Sequence, residues 1–174
     1  MASAEDQAAA AALLGGDPAA FDALLSTLMS SSNADRSAAE AAFHRLRASH
    51  PEALALRLAS SLASPATPAE LRAMAGVLLR KVLSPTPSSD ASANNATPPA
   101  PLWPQLSPAG QSALKAHLLS ALQSDPPKPI AKKVCDAISE LAALLPSPPP
   151  GVDLLPLAFP SGDASPVCPP HPAP

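Results

Sequence analysis

Apolar residues recur every three or four positions through most of the chain, which is the period of an α-helix rather than a strand. The clearest case is 67–83, TPAELRAMAGVLLRKVL, where Leu71, Met74, Ala75, Leu78 and Val82 form one stripe. Val77, Leu79 and Leu83 lie off that stripe, so the segment is apolar around most of its circumference. Such a helix is buried between two neighbours rather than laid on one surface. Thr67, Pro68 and Glu70 supply the start: a cap, a residue whose missing N–H costs nothing, and the acid of a T-x-x-E capping box. This is predicted to be an inner helix of a stack.

Five further helices follow from the same pattern. Asp17 and Pro18 open one whose stripe is Phe21, Leu24, Leu25 and Leu28, and Asn33 is expected to cap the next, with Ala38, Ala39, Ala42, Phe43 and Leu46 inward. Ser49 and Glu52 read as a second capping box ahead of Leu54, Leu58 and Leu62. Ser107 and Pro108 start a fifth helix, carrying Leu114, His117, Leu118, Ala121 and Leu122. The sixth, 130–145, has Ile130, Val134, Ala137, Ile138, Leu141, Leu144 and Leu145 on one side and Lys132, Asp136 and Glu140 on the other.

Three stretches fall outside the pattern. Residues 1–16 are Ala-rich and read as a flexible N-terminus, helical in part, stopped by Gly15 and Gly16. Residues 84–106 form an inserted loop of Pro, Ser, Ala and Asn, whose end (Leu102, Trp103, Leu106) is expected to dock back on the helices. Residues 146–174 hold eleven prolines, no Lys or Arg and no helical period, and read as a disordered tail.

The second, fourth and sixth helices share a layout: a basic residue near the start (Arg36, Arg72, Lys132), small residues, then a bulky apolar end. Allowing for the inserted loop, they repeat at about 40 residues, the period of a HEAT or armadillo unit. The expected fold is therefore all-α, a right-handed HEAT-type helical solenoid fragment of about three helix pairs over 17–145. Its last pair would leave an apolar face open.

Composition narrows the function. Aromatic content of 2%, with no tyrosine, suits close-packed helices and argues against a β-sandwich or barrel. All eleven Lys and Arg fall between positions 36 and 133, opposed there by five carboxylates, so the middle of the chain is basic. It has no dense basic run interleaved with aromatics, so no direct nucleic-acid binding is expected. Cys135 and Cys168 form no C-x-x-C motif and, with no secretory pattern at the N-terminus, read as free thiols in a reducing compartment. Cys135 is expected to be a small buried residue of the sixth helix. The four histidines have no metal-ligand spacing, no phosphate-cradling glycine loop is present, and no apolar run reaches membrane-spanning length. No enzyme activity, cofactor, metal or membrane insertion is expected.

Three pieces, in order, carry a family resemblance. They are Arg72-x-Met74-Ala75-x-Val77-Leu78-Leu79-Arg80-Lys81, then Trp103-Pro104-x-Leu106, then Lys132-Lys133-Val134-Cys135-Asp136 with Glu140-Leu141-Ala142. Together with Arg36 and Ala39-Glu40 they resemble the N-terminus of importin-β superfamily (karyopherin-β) nuclear transport receptors. The branch most similar is the Ran-binding-protein-five type, and the resemblance spans about 18–145. It departs at Ala131, where the family tends to have Arg, and in the tail, where the family continues with another helix pair.

The resemblance implies a nuclear import receptor segment, present in cytoplasm and nucleus, that binds the small GTPase Ran in its GTP form on a concave surface lined by the second helices. By that analogy Arg72, Arg80, Lys81, Lys132, Lys133 and Asp136 face Ran. Cargo would bind only on later repeats, if the chain has them. The alternatives are a generic HEAT-repeat scaffold, or a truncated product lacking cargo-binding repeats.

Overall fold

The computed structural model describes residues 4–15, 17–83, 101–124 and 126–145. Among the described residues there are seven α-helices and no strands: α1 (Ala4–Leu14), α2 (Pro18–Leu28), α3 (Asn33–Ser49), α4 (Pro51–Ala63), α5 (Ala69–Leu83), α6 (Pro108–Gln123) and α7 (Lys128–Leu144). A 3-10 turn, Trp103–Gln105, precedes α6. The all-helical expectation holds over these residues. Most of the inserted loop, 84–100, and the tail from 146 lie outside them.

The Ala-rich N-terminal stretch carries a helix that packs on the others. Within α1, Ala10 is buried, and the helix sits against α2 and α4. Alanine is the strongest helix former, and its small side chain lets α1 lie close to its neighbours.

Of the caps expected at Asp17, Ser107, Asn33 and Ser49, two match and two shift. Asp17 accepts the Ala19 N–H at 2.9 Å to start α2, and the Ser107 hydroxyl accepts the Gly110 N–H at 3.0 Å to start α6. For α3 the cap is Ser32, which accepts the Asp35 N–H, while Asn33 instead accepts a hydrogen bond from the Arg36 guanidinium. The Ser49–Glu52 box does not form. Only His50 separates α3 from α4, so Ser49 is still helical and its hydroxyl donates to the Arg45 carbonyl.

Glu52 serves a different helix. Its carboxylate accepts the Ser107 hydroxyl at 2.5 Å and the Ser107 N–H at 3.1 Å, placing a negative charge at the N-terminus of α6. A Cβ on Gly110 would fall on that carboxylate, so glycine there keeps the approach open.

α5 is buried on two sides, as its pattern predicts. It packs on α4 and on α7, and Leu71, Ala75, Leu78, Leu79, Val82 and Leu83 are all in the core. α4 lies between α5 and α6, with Leu54, Leu58 and Leu62 fully enclosed. Enclosing a leucine contributes about 1.5–3 kcal/mol.

Across the second and third pairs, first helix meets first (α4 with α6) and second meets second (α5 with α7), as in a stacked repeat. The first pair does not continue this step. Its main outside contacts cross over, α2 with α5 and α3 with α4. Arg57 on α4 also reaches α2, donating to the Asp17 carbonyl at 2.9 Å with its guanidinium over the Phe21 ring.

Side-chain burial follows the predicted stripes with few exceptions. Leu102, Trp103 and Leu106 do dock, all three buried, and the Lys115 ammonium lies 5.2 Å from the Trp103 ring centroid. Ala38, Leu122, Leu145 and Cys135 are exposed rather than buried. On α7 the inward positions are Val134 and Ala137, and Cys135 falls between them on the outer face.

The Ser107 hydroxyl and then the Ser107 N–H, both donating to Glu52, hold its carboxyl below its ordinary value near 4.5, against a smaller opposing effect of burial. A depressed folded-state pKa stabilises the fold above the unfolded value and loses that contribution as pH falls through the folded one. Urea midpoints measured from about pH 6 down to pH 3 are therefore expected to separate wild type from Glu52→Gln at the upper end. That difference is expected to close as pH drops below the ordinary glutamate range. A difference independent of pH would rule out the charge as its source.

Candidate partner-binding groove

The line where α5 crosses α7 is set by one missing side chain. A Cβ on Gly76 would stand 2.8 Å from the Lys133 Cβ, closer than packed carbons allow, so only glycine lets the helices approach to this distance. Beside the crossing runs a groove of about 280 Å³ lined by Gly76, Val77, Arg80, Lys81, Lys133, Asp136 and Glu140. Four of the six candidate residues, Arg80, Lys81, Lys133 and Asp136, meet here.

The groove has mixed charge rather than a uniformly basic wall. Arg80 Nε and Glu140 Oε2 are 3.4 Å apart, a pair across α5 and α7 in which the arginine is more than half exposed. Exposed pairs of this kind contribute about 0–1 kcal/mol, so the pair orients Arg80 more than it stabilises the fold. Lys81, Lys133 and Asp136 extend the charged surface to either side. The sequence pattern put Glu140 on the same helical face as Asp136, and its spacing four residues on was the available signal for its place in the groove.

Two candidates lie elsewhere. Lys132 is exposed on α7 and is not part of the groove lining. Arg72 is only 6% exposed, and its Nε donates to the Leu62 carbonyl at 3.0 Å. The expectation that Arg72 faces a partner is therefore corrected. It satisfies a carbonyl in the last turn of α4, where helices leave such groups unpaired and favour a positive charge. Its Nη2 is buried without a hydrogen-bond partner, so the guanidinium retains part of its desolvation cost.

Among the described residues no group of three or more His, Cys, Asp or Glu could hold a metal ion. No single helix among them is long and apolar enough to cross a membrane. The chain matches no protein-family model and no curated protein.

Two substitutions test this geometry. Arg72→Ala removes a charge-assisted hydrogen bond and should lower unfolding free energy by about 2 kcal/mol, read by denaturant titration. Gly76→Leu must force α5 and α7 apart, and is expected to cost about 1–3 kcal/mol despite leucine's better helix propensity. An unchanged midpoint for Gly76→Leu would mean the crossing is not as tight as the 2.8 Å approach requires.

Proposed function

We propose that this chain is the N-terminal part of a nuclear transport receptor of the importin-β type, and that its α5–α7 groove binds the small GTPase Ran in the GTP form. The supporting observation is the convergence of Arg80, Lys81, Lys133 and Asp136 between the second helices of two successive pairs. These residues come from two separate segments of the sequence resemblance, and the fold brings them to one place. The right-handed HEAT-type character of the stack belongs to the same proposal, with the α4–α5 to α6–α7 step as its repeating unit. Cargo would be recognised only where later repeats exist, and the protein would work in both cytoplasm and nucleus.

Mixed charge suits a protein partner. Opposite charges on one surface fix the orientation of a folded partner that carries the complementary pattern, and they penalise a misaligned one. Arg80, held by Glu140, would meet that partner already placed.

Calorimetry of the full chain against Ran loaded with GTP or GDP tests the proposal. Binding selective for the GTP form is expected, weakened by roughly tenfold or more in Arg80→Glu and in Lys133→Glu. Lys132→Glu, outside the groove, should weaken it less, and Arg72→Ala should leave the affinity of the folded fraction unchanged. Absent binding, or equal binding to both forms by a folded monomer, overturns the Ran reading.

A further inference from the structure

A second groove lies at the far end of the stack, between α6 and α7. It has a volume of about 250 Å³ and is lined by Leu118, Leu119, Ile138, Leu141, Ala142 and Leu145, with Lys115 at its margin. The lining is apolar apart from that one cation, and the surrounding surface is unusually bare. Leu119 is 57% exposed and Leu145 38%. Large aliphatic side chains left this open on adjoining helices mark a face that another segment covers.

The chain itself supplies a candidate for that segment. Leu145, part of the lining, is the last described residue, and the sequence continues PSPPPGVDLLPLAFP. After six residues rich in proline comes Val152, Asp153, Leu154, Leu155, Pro156, Leu157, Ala158 and Phe159, the densest apolar run beyond α7. Six residues in polyproline geometry reach about 19 Å, ample to carry that run back along a groove that begins at its own point of departure. Pro156 rules out a regular helix through its middle, which suits an extended strip laid between two helices. The charges also agree. The segment after 145 has no Lys or Arg, and its Asp153 would approach the groove's only cation, Lys115.

We propose that residues 152–159 fold back and occupy the α6–α7 groove, closing the stack where a further helix pair would otherwise lie. Tethering makes this intramolecular contact effective even when each apolar insertion is modest, because the local concentration of a short-linked segment is high. This inference is independent of Ran binding, which uses the α5–α7 groove.

Two measurements on the full chain test it. In the first, chymotryptic cleavage within 152–159 is followed by mass spectrometry. Docking predicts slow cleavage in wild type and cleavage faster by about tenfold or more in Leu119→Asp, a change at an exposed position that spares the core. In the second, amide hydrogen exchange in α6 and α7 is compared between wild type and the variant Leu154→Asp, Leu155→Asp, Phe159→Asp, which alters no buried residue of the described core. Faster exchange at the groove in the variant, with the chain monomeric by sedimentation, is the expected result. Equal cleavage rates, or exchange indifferent to the tail variant, overturns the proposal. So does a wild-type dimer that Leu119→Asp dissociates and the tail variant does not, since the occupant would then be a second copy.

Discussion

The close crossing of α5 and α7 at Gly76 and Lys133 is the constraint on which the rest of this structure depends. It brings the second helices of two pairs so close that the Lys133 Cβ leaves no room for a Cβ on Gly76, and α5 can then be enclosed by α4 on one side and α7 on the other. An apolar circumference makes that double burial favourable. A single residue without a Cβ makes it sterically possible. The charged groove beside the crossing is a consequence, because residues one or two turns further along each helix are brought within reach of each other.

Within a pair as well as between pairs, polar groups work where apolar packing alone would leave helix ends open. Glu52 leaves its own helix to hold the N-terminus of α6, and Arg72 leaves its own to hold a carbonyl at the C-terminus of α4. A negative charge meets the positive end of one helix dipole, and a positive charge meets the negative end of another. Both contacts join elements distant in the chain or separated by a turn, so they fix how helices sit against one another rather than whether each forms. Arg57 plays a comparable part at the first pair, tying α4 to the cap of α2.

The two grooves differ in a way that follows from their places in the stack. The one beside α5 lies between two packed pairs, so its apolar positions are already used and charge lines what remains. The one on α6 and α7 lies at the end of the described stack, where the inward-facing stripe continues past its last neighbour and leaves leucines open. A repeated layout thus leaves a charged groove in its middle and an open apolar face at its described end.

The helices, their apolar faces and two of their caps were determined by local sequence. Periodicity of three and four, Asp17 and Ser107 as caps, and the all-round apolar character of α5 each depend on residues within one or two turns. Tertiary structure decided what depends on distant partners. Arg72 reads as a surface cation because a lone arginine on a helix usually is one, and only the position of the Leu62 carbonyl makes it internal. Glu52 reads as a capping acid because its spacing from Ser49 is right, and only the approach of Ser107 redirects it. Of the candidate site, Arg80, Lys81, Lys133 and Asp136 were visible in the sequence but their convergence was not. A helix pattern fixes which residues share a face, whereas which two faces meet is fixed by the crossing of helices more than fifty residues apart.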